Sequence, residues 1–326
     1  MVDWFGFAKN PMDSLPSWDD ALAKGKKWGF NAIRLVVRFS TIQYPRLDAV
    51  LAKIDSAGAK AIVDNHLLSQ WVAADPKFGS QAMRDKWVEL VALYKNDKRI
   101  LAWEFANEPV WNVWDGVNVK ADADVPREYA VLTDLIRAID PSRPVVWMVP
   151  YNVYPGASLR PNVVVSFHPY TYGDLTTQAA AQVLLDWRET QMTRSMGYGY
   201  SGGWCGEIQC HPSGTTPLSI EKWFVSAVIK YCVGKGYAFN YWKYYQALDD
   251  DGADPDEVIA ASGYKPPTSP LPTDPCLTYK TRIAELEALT QGLQTSMATL
   301  KTANLDLTTQ KAALRSQMDR AIADLQ

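Results

Sequence analysis

Leu101-Ala102-Trp103-Glu104-Phe105-Ala106-Asn107-Glu108-Pro109 is the stretch from which the fold can first be read. Leu101–Ala106 is a short, mostly apolar run of the length of one buried strand. It stops at Asn-Glu-Pro, where the proline fixes φ and removes a backbone donor. A segment of helical period precedes it (Gln81–Asn96) and another follows it (Pro126–Ile139). A near-continuous apolar strand between two helices is the unit from which helix-covered parallel sheets are built.

The same unit recurs in both directions. Candidate strands are Val2–Phe7, Ala32–Val37, Ala61–Asn65, Val145–Val149, Val163–His168, Gly203–Ile208 and Ala238–Trp242. Helical segments at Ser17–Gly29, Leu47–Gly58, Thr177–Met196 and Ile220–Gly236 alternate with them. Eight strands ahead of Lys265, each followed by a helix, predict an α/β fold, a (β/α)8 TIM barrel. A doubly wound sheet would carry a glycine-rich phosphate loop after its first strand, and the sequence has none there.

The pattern ends at Lys265-Pro-Pro-Thr-Ser-Pro-Leu-Pro-Thr-Asp-Pro275, where five prolines in eleven residues suit only a semi-extended linker. Beyond it, Leu286, Leu293, Leu300, Leu307, Leu314 and Ala321 repeat every seven residues. Ile283, Thr290, Met297, Asn304, Lys311, Met318 and Leu325 form the companion series, so the segment reads as a coiled coil. The expected division is a barrel over 1–264, a linker over 265–276, and an oligomerisation or attachment helix over 277–326. Asn304 in the core favours self-association as a parallel, in-register dimer, while the Thr and Met beside it leave a trimer open.

Composition narrows the partners. The chain is 47% hydrophobic and 21% charged, a profile that folds. Its net charge of −3 leaves no basic footprint for nucleic acid or an anionic membrane surface. No run approaches the roughly 20 apolar residues of a membrane helix. Three His and four Cys show no zinc spacing, so neither metal nor cofactor is expected. Cys205 and Cys210 are close enough in sequence to pair in an oxidising setting, and buried thiols are the other reading. The acidic Asp249-Asp250-Asp251-Gly252 lacks the spaced ligands of a calcium loop and reads as solvated. Thirteen Trp and sixteen Tyr supply many flat faces of the kind on which sugar rings stack.

In a TIM barrel the functional groups stand at the C-terminal ends of the strands. Here Arg34 lies in the second strand, and Asp64, Asn65 and His66 end the third. Asn107 and Glu108 end the fourth, His168 and Tyr170 the sixth, Glu207 the seventh and Trp242 the eighth. Glu108 and Glu207 stand out, because cleaving a glycosidic bond takes two carboxyl groups flanking one sugar. Asn107 is placed to bond a hydroxyl next to the reacting carbon. Glu104, four residues before Glu108, reads as a structural partner for a barrel arginine. Trp71, Trp111, Trp114 and Trp204 are candidate sugar platforms.

Trp-Glu-Phe-Ala-Asn-Glu-Pro resembles the strand-four signature of clan A glycoside hydrolases, and is most similar to family 5, the cellulases and mannanases. Asn31-Ala-Ile-Arg34, Asp64-Asn65-His66, Phe167-His168-Pro169-Tyr170, Trp204-Cys205-Gly206-Glu207 and Phe239-Asn-Tyr-Trp242 resemble its other barrel strands. The resemblance implies a retaining double displacement, with Glu207 as nucleophile and Glu108 as acid/base. Arg34, His66, His168 and Tyr170 would surround them, and Trp242 would floor the subsite of the attacked sugar. Burial and the charge of Glu207 are expected to raise the pKa of Glu108. An endo-acting β-glycanase is the leading expectation, and a non-catalytic carbohydrate-binding or structural barrel in a coiled-coil-tethered assembly is the second. No secretion signal is visible at the N-terminus. The expected location is therefore synthesis in the cytoplasm and action outside the cell or on a virion, with a trimmed signal as the rival reading.

Overall fold

The structure, a computed structural model, describes residues 5–66, 75–109, 121–148, 154–171, 175–208, 216–241, 255–265 and 311. The chain divides into two compact units, Met1–Thr273 and Asp274–Gln326. In the second unit only Lys311, helical and exposed, is described. The heptad segment, its self-association and the proline-rich stretch after Lys265 thus lie outside the described residues.

Eight parallel strands close a barrel in simple chain order. They are β1 (Phe5–Lys9), β2 (Ala32–Val37), β3 (Lys60–Asn65), β4 (Ile100–Glu104), β5 (Val145–Met148), β6 (Val163–Phe167), β7 (Gly202–Ile208) and β8 (Ala238–Tyr241). Seven helices accompany them among the described residues: α1 (Leu15–Lys27), α2 (Tyr44–Ser56), α3 (Gln81–Tyr94), α4 (Ala121–Arg137), α5 (Gln178–Met196), α6 (Leu218–Lys235) and α7 (Pro255–Ser262). Local chemistry sets their ends. Ser14, Ser80 and Thr177 each accept a hydrogen bond from an amide of the following first turn. Gly236 closes α6 at φ 68°, a left-handed cap that glycine adopts without steric cost.

The expected alternation fails in one place. The described part of the β5–β6 connection holds a single 3₁₀ turn, Gly156–Ser158, rather than a helix. Helix α4 also starts earlier than Pro126, at Ala121. The proline then sits inside the helix, which forgoes one backbone bond there.

Two cores follow from strand alternation. Outward residues such as Trp103, Trp147 and Phe239 pack against the helices together with Trp18 and Trp87. Inward residues Ala32, Ile62, Leu101, Ala102, Val146, Val164, Trp204 and Ala238 fill the bottom of the barrel. One step nearer the mouth the interior becomes polar, with Arg34, Asp64, Glu104, Ser166 and Asn240 all buried. Trp204 is therefore not a sugar platform. Its indole is 1% exposed, inside the barrel, with the Arg34 guanidinium 5.8 Å from the ring centroid. Its mid-strand, inward position buries it where the sequence suggested an exposed aromatic.

Candidate active site

Arg34 organises the polar interior. Its guanidinium is fully buried and forks onto three strands. Nε and Nη2 donate to the two oxygens of Glu104 at 2.6 and 2.9 Å. Nη1 donates to Glu207 at 2.6 Å, and Nη2 also reaches Asn107 Oδ1 at 2.9 Å and Asp64 Oδ2 at 3.2 Å. Arginine suits this position because its rigid donor fork serves several acceptors without losing charge. Burial works against that charge, and Asp64, Glu104 and Glu207 outweigh it and hold the guanidinium protonated. Glu104 is thus the partner of a barrel arginine that the sequence suggested.

The end of β4 is fixed from its neighbours. Phe105 O accepts from Trp87 Nε1 at 3.1 Å and Asn65 Nδ2 at 3.3 Å, and Ala106 O lies 3.0 Å from the Tyr129 hydroxyl. Asn107 N donates to Asn65 O at 3.0 Å. The chain then turns sharply. Glu108 adopts φ 42°, in the left-handed region that costs a side-chain-bearing residue energy unless its surroundings enforce it. The turn and Pro109 aim the carboxyl of Glu108 back over the barrel mouth.

Glu207 reaches the interior through an irregularity. Cys205 pairs with Phe239 but Ile208 with Tyr241, so β7 carries one residue more than β8 between these points. With Trp204 inward, unbroken alternation would turn Glu207 outward; the bulge restores it to the inside. Asn240 Nδ2 donates to Gly206 O at 3.0 Å and holds the bulged backbone. Gly206 has no room for a side chain. A Cβ there would stand 2.3 Å from Ser166 Oγ and 3.3 Å from His168 Nε2. Besides Arg34, Glu207 accepts from the Tyr170 hydroxyl at 2.8 Å, and Arg188 Nη2 on α5 anchors the Tyr170 carbonyl at 3.1 Å.

His168 joins the two carboxylates. Its Nδ1 lies 2.8 Å from Glu108 Oε1 and 3.4 Å from Glu207 Oε2. One ligating atom from each of the three residues falls within 4.8 Å of the others. Burial pushes the imidazole down, but Glu207 and Glu108 outweigh it and hold His168 above the ordinary histidine value. Burial likewise pushes Glu108 up, yet the hydrogen bond and charge of His168 prevail and hold its carboxyl below the ordinary glutamate value. The expected upward shift of Glu108 is therefore reversed, because the imidazole stands between the two acids and donates to one of them. Behind them, burial raises Glu104 despite Arg34.

His66 is buried at the end of β3, with Nδ1 2.8 Å from Asp64 Oδ2. The structure thus brings together Arg34, His66, Asn107, Glu108, His168, Tyr170 and Glu207 at one end of the barrel. Trp71, Trp111, Trp114, Trp242, Cys210 and the Asp249–Gly252 loop lie outside the described residues. Cys205 is a buried thiol, and burial and neighbouring Cys232 push its pKa up. The roles of Asp64, Gly206, Asn240 and Tyr129 went unread in the sequence. Asp64 was placed at the end of its strand but not given its contacts to Arg34 and His66, and nothing local signals the bulge that gives Gly206 and Asn240 theirs.

The family model Cellulase (glycosyl hydrolase family 5) matches residues 2–247. Among solved structures the chain is similar to an endocellulase variant from Pyrococcus horikoshii in complex with cellotetraose. That match has a TM-score of 0.58 at 16% identity, over 79% of this chain and 89% of that one. An endo-β-1,4-glucanase from Xanthomonas axonopodis pv. citri gives 0.56 at 15%, over 81% and 99%. A xyloglucan-specific endo-β-1,4-glucanase from a metagenomic library, in complex with cellotriose, gives 0.54 at 17%, over 75% and 87%. These likenesses show the fold. No curated protein sequence matches the chain.

Proposed function

The chain belongs to glycosyl hydrolase family 5, and from this we propose that its barrel cleaves β-linked glucans internally, with retention of anomeric configuration. The observation that carries the reading is the spacing of Glu108 and Glu207, whose nearest carboxylate oxygens lie within 4.8 Å. Retaining pairs stand about 5–5.5 Å apart, whereas inverting pairs stand roughly 6.5–9.5 Å apart to admit a water.

In the first step Glu207 attacks the anomeric carbon, the bond to the leaving oxygen breaks, and that oxygen takes a proton from Glu108. Arg34 and Tyr170 hold the attacking carboxylate in one orientation before substrate arrives, so little reorganisation remains for the reaction. In the second step Glu108 deprotonates a water, which attacks the glycosyl ester and releases Glu207. Esterification removes the charge of Glu207 that His168 faces, so the imidazole is left to Glu108 and favours its ionised, basic form. The low free-enzyme pKa of Glu108 suits that second role. For the first, the reactive form is the fraction of molecules in which Glu108 carries the proton beside His168, 2.8 Å away.

The endoglucanase neighbours, two of them bound to cello-oligosaccharides, support a β-1,4-glucan as substrate. The test is a time course on soluble β-glucan, reading viscosity, reducing ends and the anomer first formed by proton NMR. Rapid viscosity loss with the β-anomer first, abolished by Glu207→Ala, is expected; the α-anomer first would overturn retention. A second part of the proposal concerns the heptads: residues 277–326 tie copies of the barrel together, or to a larger assembly that meets polysaccharide outside the cell or on a virion. Light scattering of the full chain, with a monomer as the contrary result, decides self-association.

A further inference from the structure

Asp64 is fully buried on β3, and its side chain holds His66. Its two oxygens are unequal. Oδ2 receives both the His66 Nδ1 contact at 2.8 Å and Arg34 Nη2 at 3.2 Å. Oδ1 is buried without a hydrogen-bond partner. A proton on Oδ1 would have no acceptor, while a proton on Oδ2 has one in His66 Nδ1.

We infer that Asp64 is a positioning residue that sets the tautomer of His66, so that the imidazole changes from hydrogen-bond donor to acceptor at Nε2 as Asp64 ionises. With Asp64 ionised, Nδ1 must carry the proton that bonds Oδ2, and Nε2 carries none. With Asp64 protonated on Oδ2, Nδ1 accepts, and a neutral imidazole must carry its proton on Nε2. The step moves no proton to or from substrate; it changes which sugar hydroxyl geometry His66 accepts.

The surroundings place the change in a useful range. Arg34 faces Asp64 from β2, Glu104 and Glu108 from β4 and its end, His168 from the end of β6, and Glu207 from β7. Burial pushes the Asp64 carboxyl up to about 7 against the pull of Arg34, and Glu207 adds to the rise. Burial pushes His66 down to about 3, so its ring stays neutral on both sides of that change. The arrangement rests on the proposed function only in taking His66 to face substrate; the tautomer itself can be read without any substrate.

The experiment uses the full chain labelled with ¹⁵N-histidine, which has three imidazoles in all. Two-bond proton–nitrogen spectra are recorded from about pH 5 to pH 9, with His66→Gln identifying the His66 signals by their loss. The expected result is a switch of His66 from Nε2–H to Nδ1–H, with a midpoint near the value of about 7 for Asp64. In Asp64→Asn the amide oxygen must take the Oδ2 place, since Arg34 donates there, and His66 should stay Nδ1–H throughout. A single tautomer across the range in the unaltered protein overturns the inference, whether or not the variant folds. So does an unchanged switch in Asp64→Asn. In kinetics, the variant should lose a step in KM near pH 7. Absence of all glycosidase activity with the switch intact would sink the proposed function and leave this inference standing.

Discussion

Asn240 and Gly206 are joined by one hydrogen bond, from the Asn240 amide to the Gly206 carbonyl at 3.0 Å, at the point where β7 and β8 fall out of register. That bond secures the backbone that turns Glu207 inward. Asn240→Ala should lower kcat by about 100-fold, the cost of displacing a reacting group by about an ångström. Stability should fall by only about 1–3 kcal/mol for the unpaired carbonyl. Steady-state kinetics beside urea unfolding check both, and an unchanged kcat would dissociate the bulge from Glu207.

Gly206→Ala places a methyl 2.3 Å from Ser166 Oγ and must displace Ser166 or the strand. Activity should fall at least 10-fold, and removing the obstructing atom with Ser166→Gly should restore part of it. The pair should therefore be non-additive by more than about 0.5 kcal/mol in a double-mutant cycle. Additivity would mean that the clash is relieved elsewhere.

His168→Gln removes the charge that holds the Glu108 carboxyl down. Its pKa should rise, so the acid form persists to higher pH. The alkaline limb of the kcat/KM profile, set by loss of the Glu108 proton in the free enzyme, should move upward. A limb that stays or moves down assigns it to another group.

Stability should also depend on pH through Asp64. Burial raises its carboxyl from 3.8 to about 7 in the folded chain, so the folded state keeps a proton that the unfolded state releases. Its contribution is full below the unfolded value and is lost as pH rises through about 7. The loss is on the order of a few kcal/mol. Urea midpoints across this range should fall with pH, and Asp64→Asn should flatten the slope. A slope unchanged in that variant would point to Glu104, which burial raises in the same direction.

Much of the barrel was legible because parallel strands buried on both faces announce themselves as apolar runs. Ala32–Val37 is found with the bounds expected, and Val163–Phe167 with one residue fewer. The strand-end rule then placed Arg34, Glu108, His168, Tyr170 and Glu207 at a common mouth. What escaped was whatever depends on register between distant strands. Trp204 and Glu207 are three apart, and only the bulge sets both inward, one as barrel filling and the other as a reactive group. The downward shift of Glu108 escaped for a related reason. It turns on His168, 60 residues away, donating across 2.8 Å. The expected helix after β5 is missing from the described part of that connection, which forms only the 3₁₀ turn Gly156–Ser158.

The left-handed backbone at Glu108 carries a consequence for descent as well as for chemistry. At φ 42° a glutamate is strained where glycine or asparagine would be at ease. A lineage released from the need to turn over substrate could therefore gain stability by a single replacement at this position, while Arg34 and the rest of the barrel stayed intact. A glutamate standing at this turn is held against the backbone's own preference.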